Sequence, residues 1–128
     1  MTAHPYQAYK QNAVFTAGPA QLTLMLFDGA LRHLSWAQEA MANRDAQRAH
    51  GALCRAQEII AHLRNNLDGH YPISRQLDAL YEFCLRRLVE ANVRKDETAV
   101  QEVTELIGDL RGAWRDALVR AGGDSHGG

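Results

Sequence analysis

The chain has 128 residues, 14 basic and 15 acidic side chains and a formal charge of -1. That length fits one domain able to bury roughly two-thirds of its unfolded surface without disulfides or metals. The near-neutral balance argues against a nucleic-acid binder with its basic stripe and against a polybasic membrane anchor.

No apolar run approaches the ~20 residues of a membrane span. Met1-Thr2-Ala3-His4-Pro5 lacks the charged and apolar regions of a signal peptide. A cytosolic protein is therefore expected, with Cys54 and Cys84 reduced. Both cysteines fall on apolar helix faces and read as small buried hydrophobes.

Residues 1–18 form a polar lead-in dotted with Tyr6, Tyr9, Val14 and Phe15. An ordinary bundle has no need of two tyrosines and Asn12 just upstream of its first long helix. Gly18 can cap that helix and Pro19 can open it. Residues 19 to 42 carry Leu22, Met25, Leu26, Gly29, Leu34, Ala37 and Met41 at helical spacing. Gly29 interrupts this run and implies close helix–helix approach or a shallow groove for a guest.

Asn43-Arg44-Asp45 breaks the pattern, and Asp45 suits an N-cap. Residues 46 to 67 place Ala49, Leu53, Ala56, Ile60, Leu63 and Leu67 on one face. Asp68-Gly69-His70-Tyr71-Pro72 has the chemistry of a turn. Residues 73 to 94 group Ile73, Leu77, Leu80, Tyr81, Cys84, Leu85 and Leu88. Lys95-Asp96 ends that helix. Residues 97 to 120 carry Val100, Val103, Leu106, Ile107, Leu110, Trp114 and Leu118, and a disordered glycine-rich tail is expected over 121–128.

The pattern predicts an all-α fold: an antiparallel up-down four-helix bundle over 19–120, with the lead-in segment 1–18 packed alongside. Each helix would measure about 30 Å. The spacing drifts between three and four, which favours a globular bundle over a long coiled coil.

Catalytic chemistry finds little support. Of the six histidines, His33, His50 and His62 fall on helices, and no His-Glu-x-x-His arrangement supplies a zinc site. An exposed histidine on a helical bundle can carry a phosphoryl group, and His50-Gly51 and His62-Leu63-Arg64 are the places to look. Neither combines a basic neighbour and a small neighbour convincingly. Ser35, Ser74 and Ser125 lack a nucleophile-elbow context. Acidic residues sit at solvent-face spacing, paired as Arg75 with Asp78 and Glu82 with Arg86. No enzyme is expected, and no cofactor or metal.

Apolar surface remains as the source of function. The lead-in either staples the N-terminus or forms a lid over a hydrophobic groove that a partner displaces. Tyr9, Asn12, Val14, Thr16 and Ala17, then Pro19, Leu22, Met25, Leu26, Asp28, Gly29 and Ala30, resemble the N-terminal signature of the flagellar secretion chaperone family FliS. The resemblance continues through Ala56-Gln57 with Ile59-Ile60, through Leu77-Asp78-Ala79-Leu80-Tyr81 with Arg87-Leu88 and Glu90-Ala91-Asn92, and through Val103, Leu106 and Leu110 to Trp114. It spans residues 6 to 118. Two positions depart from it: Gly18 stands where the family usually has serine, and Phe27 where it often has tyrosine.

The resemblance implies a cytosolic chaperone that binds the disordered C-terminal segment of flagellin. It would prevent premature polymerisation and assist delivery to the flagellar type III export apparatus, with no ATP or metal. The export gate and other flagellar regulators are further implied partners. Monomer and weak homodimer both stay open. Candidate client contacts are Tyr6, Tyr9, Asn12 and Val14 in the lead-in. Phe27, Leu31 and Ile59 join them because they sit off the main stripe of their helices, with ordinary packing as the alternative for each. A histidine phosphotransfer bundle and a helical adaptor for another client are the competing readings.

Overall fold

In the computed structural model, the backbone is described for residues 5–127 and the side chains for residues 20–121. Four helices follow one another: α1 (Pro5–Ala42), α2 (Ala46–Asn65), α3 (Ile73–Arg94) and α4 (Glu97–Gly127). Helix α1 packs on α2 and α4, and α3 packs on the same two. The pairs α1/α3 and α2/α4 therefore face each other diagonally across the core. The contacts Asp28–Arg111, Arg64–Asp78 and Arg87–Glu102 fix antiparallel neighbours. The all-α bundle expected from the periodicity is the fold observed.

Two short turns close one end of the bundle, and they share a design. Arg44 and Lys95 adopt left-handed backbone angles, φ 55° and 51°. In each turn the following aspartate donates its N–H back five residues, Asp45 to Ala40 at 2.8 Å and Asp96 to Ala91 at 3.0 Å. This back-bonding satisfies carbonyls that a helix end leaves orphaned. The same aspartates then cap the next helix. Asp45 Oδ1 accepts from the Arg48 N–H at 3.2 Å, and Asp96 Oδ1 accepts from the Thr98 N–H at 2.9 Å. The sequence pattern Ala-x-x-x-(Arg/Lys)-Asp occurs at both, as Ala40 to Asp45 and Ala91 to Asp96.

The other end is joined by a longer link, residues 66–72. Asp68 organises it by accepting from the His70 N–H at 3.0 Å, an Asx-type turn. The Ser74 hydroxyl donates to the Asp68 carbonyl and ties the link to the start of α3. Pro72, at the N-cap of α3, offers no side-chain cap.

The core runs through Phe27, Ala30, Leu34 and Ala37 of α1, Leu53, Ala56 and Ile60 of α2, Tyr81, Cys84 and Leu88 of α3, and Val100, Val103 and Ile107 of α4. Small residues on α1 and α2 let these helices approach closely. A Cβ on Gly29 would stand 3.4 Å from Ile59 Cδ1.

Three sequence expectations change. Helix α1 begins at Pro5 and runs through Pro19. Gln7, Ala8, Gln11, Ala13 and Ala17 before Pro19, and Ala20, Gln21 and Leu22 after it, favour helix on both sides of the one N–H that Pro19 removes. The expected apolar face of α1 divides in two. Phe27 joins the core, fully buried, while Leu22 and Met25 are exposed. The two stripes are centred about one-third of a turn apart, and Leu26 and Gly29 between them let sequence spacing merge them. Asp78 bonds Arg64 across to α2 at 2.6 Å, whereas the expectation paired it with Arg75. A fourth also changes: the disordered tail expected over 121–128 is helix as far as Gly127, the end of α4.

Candidate functional site

The open end carries an apolar cleft of about 650 Å³. It forms where α2 stops at Asn65 and α3 starts only at Ile73, so the link leaves α1 near Ala20 and α4 near Trp114 uncovered on one side. Leu63, Leu67, Ile73, Leu77, Tyr81 and Trp114 line it, with Ala20 and Thr23 from α1 and the polar Asn66, Asp68 and Ser74 at its edge. Tyr71 and Ile73 at its rim are 63% and 55% exposed. An apolar pocket with a few polar groups at its margin is a general signature of a binding site.

An aromatic cluster supports the cleft from below. Phe27 meets Trp114 edge-on at 6.2 Å and Tyr81 at 6.5 Å between ring centroids. Such tilted and edge-to-face pairs stabilise beyond their buried area. Trp114 Nε1 donates to the Ala20 carbonyl at 2.9 Å, which pins α1 at Ala20 to α4. Next to Phe27, Asp28 closes the same seam by accepting from Arg111 Nε on its Oδ1 at 2.6 Å. Burial pushes the Tyr81 hydroxyl up to about 12, so the ring stays neutral and serves packing.

From the cleft, exposed apolar side chains continue along α1. Leu22 and Met25 are 39% and 55% exposed. They lead into a groove between α1 and α2 whose first stretch is lined by Leu26, His33, Arg55, Glu58, Ile59 and His62. Its second stretch shares His33 and Arg55 and adds Trp36, Gly51 and Ala52, so the two are continuous. His33 stands edge-on to Trp36 at 4.9 Å. Burial, then the neighbouring Arg32 and Arg55, holds the His33 ring below its ordinary value. The groove therefore presents a neutral aromatic pair at neutral pH.

The described candidates from sequence land in three places. Ile59 lines the α1/α2 groove. Leu31 is half-buried against the core, and lies one heptad before Gln38, which bonds Gln101 of α4 at 2.6 Å. That spacing puts Leu31 on the α4 side of α1, away from the groove. Phe27 is a correction: it is core beneath the cleft and presents no surface. Tyr6, Tyr9, Asn12 and Val14 lie in α1, with side chains outside the described residues. Sequence reasoning missed Tyr71, which it read as turn chemistry, and Ile73, which it assigned to a buried face. An aromatic and a branched apolar residue flanking Pro72 in a link was the available signal.

Among the described residues, no group of three or more His, Cys, Asp or Glu side chains could hold a metal ion. Among them too, no helix is long and apolar enough to cross a membrane. The site offers apolar contact and edge hydrogen bonds, which is binding chemistry.

Comparison with known proteins agrees over nearly the whole chain. A family model described as flagellar protein FliS matches residues 2–121. The flagellar secretion chaperone FliS of Bacillus subtilis (strain 168) is 40% identical over 124 residues, covering 97% of this chain and 93% of the relative. The flagellar secretion chaperone FliS of Escherichia coli (strain K12) is 38% identical over 120 residues, covering 88% of each. That of Salmonella typhimurium is 36% identical over 127 residues, covering 94% of each.

Proposed function

Since the chain belongs to the FliS family of flagellar secretion chaperones, we propose that it binds the disordered C-terminal segment of flagellin in the cytoplasm. Binding holds flagellin unpolymerised and carries it to the flagellar export apparatus. The observation that carries this reading is the apolar cleft at the open end, with exposed Leu22 and Met25 and the α1/α2 groove at Leu26 and Ile59 alongside it.

A disordered segment loses conformational entropy when it orders, so its partner must offer a large apolar contact area. A track over an end and along a seam offers more area than one compact pocket. It suits a guest that is part extended and part helical, since a groove between helices takes an amphipathic helix at i, i+3 and i+4 positions. In this reading Ile59, Leu22 and Met25 contact the guest on the groove side, and Tyr71 and Ile73 on the cleft side. Leu31 belongs to a separate contact at the α4 seam. Tyr6, Tyr9, Asn12 and Val14 reach the guest from the start of α1, which enters the bundle at the cleft through Ala20.

Titration calorimetry of the full chain with a flagellin C-terminal peptide tests the reading. A one-to-one complex with a Kd below roughly tens of micromolar is expected, weakened by Tyr9→Asp with helix content unchanged. Absence of heat at that concentration would overturn it.

A further inference from the structure

The link that leaves the apolar cleft open also walls a second recess, and this one is polar. Residues 69–72 of the link form it together with Arg64 of α2 and Arg75 of α3. Leu67, Tyr71 and Ser74 line both the recess and the cleft, so the two adjoin.

The donors around this recess differ in what they already hold. Arg64 gives its Nε to Asp78 Oδ1 at 2.6 Å and its Nη2 to Asp78 Oδ2 at 3.3 Å. The Ser74 hydroxyl donates to the Asp68 carbonyl, and the His70 N–H donates to the Asp68 carboxylate at 3.0 Å. Arg75 is left over. Asp78, its neighbour one helical turn on, is taken by Arg64, and among the described residues the Arg75 guanidinium has no hydrogen bond or ion pair. A permanently charged fork of donors therefore stands unpaired beside an apolar cleft.

We propose that this recess binds the free carboxylate at the end of the guest chain, with Arg75 as the residue that pairs it. The proposal rests on the guest reading above and adds the direction in which the guest lies. An apolar C-terminal segment carries one charge that no side-chain choice removes, its terminal carboxylate. Leaving that group unpaired against an apolar surface is costly, so a guest whose side chains fill the cleft gains by ending where a donor stands. Guanidinium and carboxylate match as two forks, with two parallel N–H···O bonds. The last residues of the guest then cross Leu67 and Tyr71 and stop at Arg75, and the chain before them runs back over the cleft. A side-chain carboxylate inside the guest is the competing occupant, and it needs no chain end.

The test titrates the full chain, by calorimetry, with two flagellin C-terminal peptides of one sequence, one ending in the free acid and one in the amide. The free acid should bind about twofold to fivefold tighter, the range of an exposed ion pair. Arg75→Gln should weaken the free acid by the same factor and leave the amide unchanged, and raised salt should shrink the difference between the two peptides. Circular dichroism checks that the variant is folded. Equal binding of acid and amide by the unsubstituted chain would overturn the proposal and leave the guest reading standing. An equal loss for both peptides in Arg75→Gln would assign Arg75 to a carboxylate inside the guest and overturn the proposal as well. Binding of neither peptide would overturn the guest reading and the proposal together.

Discussion

The two ends of the bundle solve the same problem in opposite ways. At one end α1–α2 and α3–α4 are joined by near-identical tight turns, each with a basic left-handed residue and an aspartate that ends one helix and caps the next. At the other end a seven-residue link, 66–72, starts α3 without a side-chain cap and leaves an apolar cleft. Polar groups at the closed end satisfy the backbone. Apolar groups at the open end, Tyr71 and Ile73, stay exposed where burial would have stabilised them. This contrast is what puts the proposed binding surface at the open end.

The largest test of this contrast concerns Phe27, which lies beneath the cleft without facing it. Phe27→Ala should lower stability in urea by about 3–5 kcal/mol through lost packing against Tyr81 and Trp114. A stability loss under about 1 kcal/mol with strongly weakened guest binding would move Phe27 to the surface and break the division between support and rim.

Next come the rim residues. Tyr71→Asp and Ile73→Asp should each raise the Kd for the flagellin peptide about tenfold, with stability held within about 0.5 kcal/mol because both side chains are exposed. Calorimetry and urea denaturation read the two quantities separately. At the closed end the pattern should invert. Asp96→Ala should cost about 1 kcal/mol through the lost cap and leave the peptide Kd unchanged.

The smallest effect is electrostatic. The Arg64 hydrogen bond holds the Asp78 carboxyl below its ordinary value of 3.8. The folded pKa is the lower one, so the pair contributes stability above 3.8. That contribution declines as pH falls below 3.8 and is gone once pH has passed through the folded value. Both side chains are largely exposed, so the contribution is small. Asp78→Asn should flatten the acid limb of a thermal-stability profile slightly and leave the profile near neutral pH unshifted in shape.

Much of this architecture was legible in the sequence. The three breaks at Asn43-Arg44-Asp45, Asp68 to Pro72 and Lys95-Asp96 fall where the turns fall, because αL and Asx chemistry is local. The faces of α2 and α3 were legible through Leu53, Ile60, Tyr81 and Leu88, since each helix carries one apolar stripe. Helix α1 carries two adjacent stripes, and periodicity could not say which meets the core. That is why Phe27 was assigned outward and Leu22 and Met25 inward. Pro19 read as a start signal, yet one missing N–H does not stop a helix whose flanks favour it. The cleft itself was not legible. It depends on where α2 ends relative to α1 and α4, which only packing decides.

The central claim is that the guest engages the open end and the adjoining α1/α2 groove. Hydrogen–deuterium exchange of the full chain, with and without the flagellin C-terminal peptide, tests it most directly. Protection is expected at residues 63–77 and along residues 20–36 and 51–62, with residues 91–98 unchanged. Protection confined to residues 91–98 would contradict it.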